Sequence, residues 1–243
     1  MGLDLIIHKD PNDYQPQRLR PILLFDIEAN MHKKALGQYT INHAEELKGI
    51  PPEHYGSRKA KAADVKALNN RLLYNLVRQK KVTSRSVFAD LISNYDLVVH
   101  RISSLALQRV NSPKEPIHCK FITLHNMVHL VRTAFGDSAN TYGGDIWAIP
   151  LKPPPQGLVQ GNGEAPEIWA IVSSPLLNFL IEAGHGAVFR CSISQDSFHL
   201  LGYYFVDDST IIQVEPSPET PLEEMVKLSQ KGLNIFAGEY KVT

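Results

Sequence analysis

The stretch Tyr203-Tyr204-Phe205-Val206-Asp207-Asp208-Ser209-Thr210-Ile211-Ile212-Gln213-Val214 decides the fold. An aromatic-rich apolar run ends in two adjacent aspartates, and a second β-like run follows at once. That pattern reads as a β-hairpin with two carboxylates at its tip. Carboxylates held so close repel each other, and the arrangement makes most chemical sense when divalent cations neutralise them. Upstream, Ser86-Val87-Phe88-Ala89-Asp90-Leu91 is a short strand-like run carrying a third acid. Asp90, Asp207 and Asp208 are therefore candidate ligands of one pair of metal ions. A metal-dependent phosphoryl-transfer centre is the first functional expectation.

Working outward, the helix from about Ala62 to Lys81 is the clearest, with Val65, Leu68, Leu72 and Leu76 as an apolar stripe and Leu73 and Val77 one step aside. Leu23, Leu24, Ile27, Met31 and Leu36 predict a helix that runs up to the break at Gly49 and Pro51–Pro52. Lys9 to Pro21 reads as an extended loop after the apolar stretch Leu3–Ile7. Helical patterns cover 96–110, 121–135 and 166–183, and a final one starts near Leu222. Asp137–Gly144 reads as a loop, Ile146–Ile149 as a short strand and Pro153–Pro155 as a rigid spacer. The strands 187–193 and 199–206 flank a turn at 195–197. Helices dominate the front and short antiparallel strands the back, which makes the fold class α+β.

Composition bounds the rest. With 243 residues, 43% of them hydrophobic, the chain can bury a sizeable core. No window approaches the roughly 18 consecutive apolar residues of a membrane span, and Met1–Asp10 lacks the layout of a signal peptide. Two cysteines, Cys119 and Cys191, suit a reducing compartment, so an intracellular protein without a membrane partner is expected, nuclear or cytoplasmic. The net charge of zero hides a split: residues 1–81 hold 14 Lys/Arg against 9 Asp/Glu, and residues 82–243 hold 11 against 16. Nine bases between Arg58 and Arg85 face only Asp64, a field that suits a polyanion or, more plainly, a solvated helix face.

Other chemistries find little support. His125 and His129 have the i, i+4 spacing of a zinc helix, but Asn126 stands where a metalloprotease has its glutamate, so packing or surface histidines are expected. Gly161-Asn162-Gly163 is preceded by Pro155 where a dinucleotide fold needs a strand. No Walker lysine motif and no Gly-x-Ser-x-Gly elbow occurs.

With these pieces assembled, the chain resembles the reverse transcriptases, most closely the non-LTR retroelement and group II intron branch. Leu5-Ile6-Ile7-His8-Lys9 and Arg20-Pro21-Ile22 look like the first two fingers motifs, where lysine and arginine contact the incoming triphosphate. Tyr55-Gly56-Ser57-Arg58, with Lys59 and the following helix, is similar to the template-side segment, with Ser57 in place of the usual aromatic. Phe88-Ala89-Asp90-Leu91 followed by Tyr95-Asp96 looks like the first palm motif, in which Tyr95 takes the place of a ring that would exclude a ribose 2′-hydroxyl. Gly157-Leu158-Val159-Gln160-Gly161 up to Pro166 is similar to the motif that opens the palm helix, with Ala165 in place of serine. Phe205-Val206-Asp207-Asp208 matches the aromatic-x-Asp-Asp box.

The resemblance implies a right-hand polymerase with a small antiparallel sheet backed by helices: a fingers-like segment over 1–85 and a palm-like segment over 86–243, together one domain. It implies an RNA-directed DNA polymerase of a retrotransposon, with two Mg²⁺ ions (or Mn²⁺) held by Asp90, Asp207 and Asp208. Lys9, Arg20, Tyr95, Gln160 and Gly161 would bind the dNTP, and Arg58 and Lys59 the template. The partners it implies are an RNA template, a DNA primer and dNTPs. The primer grip and thumb are not recognisable before Thr243, so a fragment inactive by itself is also expected. An RNA-dependent RNA polymerase palm and a non-catalytic nucleic-acid-binding remnant are the alternatives.

Overall fold

The computed structural model describes residues 2–8, 15, 19–90, 95, 98–126, 129–135, 142–149, 157–158, 160–191, 193–206, 208–214, 223–224, 226–227, 229–232 and 234. In chain order the elements are β1 (Gly2–His8), β2 (Leu19–Phe25), α1 (Ile27–Glu46), α2 (Ala63–Lys80), β3 (Ser84–Asp90), α3 (His100–Arg109), α4 (Lys114–Asn126), β4 (His129–Phe135), β5 (Tyr142–Ile149), α5 (Ala165–Glu182), β6 (Ala187–Arg190), β7 (Ser197–Leu200), β8 (Gly202–Phe205) and β9 (Asp208–Val214). By packing, these form two discontinuous units, Met1–His43 with Tyr95–Ile168 and Ala44–Asn94 with Trp169–Thr243.

The second unit is built on an antiparallel sheet of order β3-β9-β8. Successive side chains of a strand alternate faces, and here both faces are covered. Val87, Ile211 and Tyr204 lie on one face with Leu176, Leu177 and Leu180 of α5. Ile212, Val214 and Tyr203 lie on the other, with Leu73 and Val77 of α2 and with Ala187, Phe189 and Leu200 from the β6–β7 hairpin. Helix α2 therefore buries the line through Leu73 and Val77, whereas Leu68 and Leu72 of the expected stripe are each 55% exposed. The two lines are adjacent on the helix, and the sheet below selects between them. Lys81 closes the helix in the left-handed conformation (φ 53°), its N–H and that of Val82 returning to the last turn.

The first unit holds a mixed sheet of order β2-β1-β4-β5, antiparallel except for the parallel β1–β4 pair. Strand pairing corrects several expectations here. The run Leu23–Phe25 is strand β2 rather than the start of a helix, and residues 129–135 are strand β4 rather than the end of one. Continuous apolar runs of this length do not separate helix from strand, and pairing with β1 decides both. Tyr142–Gly144, read as loop, likewise belongs to β5, and Leu19–Pro21, read as the end of the Lys9–Pro21 loop, belongs to β2.

Helix α1 also turns away from its expected face. Ile27 and Met31 are exposed, while Lys33, Gly37, Thr40, Ile41 and Ala44 are buried at helical spacing. Two features of the start of α5 explain this. Lys33 Nζ donates to Glu164 Oε1 at 3.0 Å, and Gly37 leaves no side chain where a Cβ would come within 3.0 Å of the Glu164 Cα. Glu164 is fully buried and its other oxygen lies 3.3 Å from Lys120 Nζ of α4. Burial holds the Lys120 ammonium pKa below its ordinary value and pushes the neighbouring Glu167 carboxyl up. Charge here ties three helices together where an apolar core would ordinarily do so.

Candidate active site

The β3–β9 register places Asp90 directly opposite Asp208, and the β8–β9 register places Phe205 opposite Asp208 on the other side. Directly opposed positions share one face of a sheet, so positions 90, 205 and 208 line up across the three strand ends. The side chain of Asp208 is exposed, and Lys66 Nζ of α2 donates to its backbone carbonyl at 3.2 Å. Asp207 lies outside the described residues. Asp90 and Asp208, two of the sequence-predicted acids, thus belong to neighbouring strands, Asp90 at the end of β3 and Asp208 at the start of β9.

The turn before Asp208 is strained. Val206 has φ 55°, a left-handed conformation that is an outlier for a β-branched residue. Its carbonyl accepts a hydrogen bond from Trp169 Nε1 of α5 at 2.7 Å. Gly56 approaches from the loop ahead of α2, so closely that a Cβ there would lie 2.7 Å from the Val206 nitrogen. Sequence reading placed Val206 in the Phe205–Asp208 box but missed its conformation and its bond to Trp169, because neither a ring N–H nor a dihedral angle leaves a periodic signal.

That loop is laid along the hairpin. Tyr204 N–H donates to the Glu53 carbonyl at 3.1 Å and Tyr55 N–H to the Tyr204 carbonyl at 2.7 Å, so residues 53–55 act as a short parallel extension of β8. The Tyr55 ring meets Tyr203 edge-on, and its hydroxyl accepts from Asn69 Nδ2 of α2. Arg58, expected at the template, donates from Nε to Glu45 at 2.6 Å and from Nη1 to the carbonyls of Pro51 and His54. These bonds give its guanidinium a loop-fixing role within this unit. Lys59 is exposed. His54 is buried with Nε2 hydrogen-bonded to Ser173 Oγ at 3.2 Å; burial first, then Arg58, Lys66 and Lys61, push its pKa down to about 3. Histidine at this position is thus neutral at physiological pH.

The first unit gathers three of the expected nucleotide-contacting residues. The carbonyl of Tyr95 accepts from Leu158 N–H at 2.6 Å, the Val98 carbonyl accepts from Gly157 N–H at 2.8 Å, and His100 Nε2 is bonded to the Gly157 carbonyl at 2.7 Å. Three bonds therefore fasten the segment starting at Tyr95 to the turn bearing Gln160 and Gly161. Asn30 Oδ1 accepts from Gly163 N–H, and Asn162 Oδ1 accepts from Glu164 N–H at the start of α5. Arg20 sits in β2 opposite Ile7, and Lys9 lies outside the described residues. Among the described residues no group of three His, Cys, Asp or Glu side chains is placed to hold a metal, and no helix is long and apolar enough to cross a membrane.

The fold is α+β, and it is similar to that of two solved telomerases. A telomerase of Candida albicans, solved in complex with a TWJ fragment of telomeric RNA, superposes with a TM-score of 0.53 at 11% identity, over 98% of this chain and 40% of the other. Apo telomerase of Candida tropicalis, truncated from its C-terminal domain, superposes with a TM-score of 0.50 at 12% identity, over 89% and 44%. The chain thus spans less than half the length of either telomerase. At these identities the likeness is one of fold. No family model and no curated protein matches the sequence.

Proposed function

We propose that the chain is the fingers-and-palm part of an RNA-directed DNA polymerase of a retroelement, transferring nucleotides from dNTPs to a primer 3′-hydroxyl. The observation that carries the reading is the register of Asp90 against Asp208. It gives two acids that stand 118 positions apart in the sequence neighbouring places on one sheet. The polymerase fold shared with two telomerases supports a nucleic-acid-extending enzyme, and the motif order in the sequence supports the retroelement branch.

Asp90 and Asp208, at adjoining strand ends, and Asp207, next to Asp208 in the sequence, are carboxylates that offer only hard oxygen donors, a set that would suit Mg²⁺. Held there, Mg²⁺ would supply charge neutralisation of the triphosphate and a lowered pKa of the primer hydroxyl. The protein's own contribution is positioning. The Tyr95 ring excludes a ribose 2′-hydroxyl, the Gln160–Gly161 turn lets backbone approach the nascent base pair, and Lys9 and Arg20 balance the phosphate charge. The bases of α2 supply a field for the template strand.

Single-nucleotide incorporation on an RNA template annealed to a DNA primer, comparing dNTP with rNTP in Mg²⁺, tests the reading. Selective dNTP addition is expected. Equal use of rNTP would indicate an RNA polymerase palm. Salt-sensitive binding of primer–template without any addition by the folded chain would indicate a binding remnant.

A further inference from the structure

A valine in the left-handed region persists only where its surroundings over-determine it. Around Val206 those surroundings are specific. The indole of Trp169, 1% exposed, donates its N–H to the Val206 carbonyl at 2.7 Å. From another direction Gly56 fills the space beside the Val206 nitrogen, and a Cβ at position 56 would meet that nitrogen at 2.7 Å and Cγ2 at 3.1 Å. The strand leading into the turn is fixed two residues earlier, where Tyr204 exchanges backbone hydrogen bonds with Glu53 and Tyr55. Both peptide groups that flank the Val206 Cα are thereby confined, one by a hydrogen bond and one by close packing.

We propose that Trp169 and Gly56 are positioning residues that hold Val206 in its left-handed conformation and so set the course on which the chain enters β9 at Asp208. Neither residue touches a reacting group. Without the indole N–H, Val206 relaxes towards negative φ, and the entry into β9 loses the register that pairs position 208 with position 90 on β3. The part of this account that concerns catalysis rests on the polymerase reading above; the part that concerns the turn does not.

The test uses the full chain and two variants that act from opposite sides. Trp169→Phe keeps an aromatic ring in the core and removes the donor, and Gly56→Ala places a methyl against the Val206 nitrogen. Hydrogen–deuterium exchange of the unliganded proteins is read over 202–210, with α2 and the β6–β7 hairpin as internal references. Faster exchange confined to 202–210 is expected in each variant. In single-nucleotide incorporation, kcat should fall about tenfold or more, as for a small misplacement of reacting groups, while KM for the nucleotide stays within about twofold. The Mg²⁺ concentration for half-maximal rate should rise. Glycine adopts positive φ freely, so adding Val206→Gly to Trp169→Phe should restore most of the lost rate.

Unchanged exchange over 202–210 in both variants overturns the proposal, as does a loss of rate that Val206→Gly leaves unrepaired. If the wild-type chain adds no nucleotide even with a thumb added back, the polymerase reading fails, and the exchange measurement still decides whether the clamp exists.

Discussion

Asp90 pairs with Asp208 in the β3–β9 ladder, two acidic residues at directly opposed positions. Such a pair destabilises a sheet by about 0.2–1 kcal/mol. Asp208→Asn should therefore make the metal-free chain slightly more stable and weaken its stabilisation by Mg²⁺. Urea denaturation of both proteins with and without Mg²⁺ checks this. A variant less stable without metal and equally stabilised by Mg²⁺ would show that repulsion is not relieved there.

The Lys33–Glu164–Lys120 cluster predicts a large stability effect far from any chemistry. Removing one member of a buried ion pair leaves an uncompensated charge, at a cost of about 3–5 kcal/mol. Lys33→Met should lower unfolding stability by about that amount, because Glu164 keeps only its 3.3 Å contact with Lys120. A change below about 1 kcal/mol in denaturant titration would mean that the pair is not buried as described.

His54 sets an acid limit. Its pKa is about 3 in the folded chain, against 6.5 for an ordinary histidine, so between those values the unfolded chain binds a proton that the folded chain does not. The resulting stability is complete above about pH 6.5 and is lost as pH falls towards 3, at about 1.4 kcal/mol per pH unit. His54→Gln should flatten this slope over pH 4–6. Identical slopes in wild type and variant would assign the acid sensitivity to other groups.

Arg58 should behave as a structural residue. Its three hydrogen bonds fix the loop that lies along β8, and a lysine cannot reproduce the planar fork. Arg58→Lys should cost about 1–3 kcal/mol of stability while leaving the salt dependence of template binding nearly unchanged. A salt slope reduced by a full counterion, with stability intact, would return Arg58 to the template.

Tyr95 carries the sugar discrimination in this account. Tyr95→Ala should raise rNTP incorporation relative to dNTP by about 10–100-fold, since only a steric clash is removed. An unchanged ratio would place the discriminating group elsewhere.

The sequence was most legible where pattern and chemistry coincide. Helix α2 and the strand ending in Asp90 stand within two residues of their expected bounds, whereas the strand read over 199–206 divides into β7 and β8 ahead of the Asp208 strand. What was not legible arose from contacts distant in the chain. The buried face of α1 is set by Lys33, Gly37 and Glu164, none of which contributes to apolar periodicity. Similarly, Arg58 reads as a free base in a basic run, and its commitment to Glu45 follows only from the fold of the loop. The clamp on Val206 joins residues 56, 169 and 206, and no local rule links them.

Primer extension on an RNA template with dNTPs and Mg²⁺ tests the central claim most directly, run with the wild-type chain and with Asp90→Asn and Asp207→Asn. The account predicts metal-dependent extension that both substitutions abolish while the variants keep their folded-state spectra. Extension that survives either substitution in a clean preparation would contradict it.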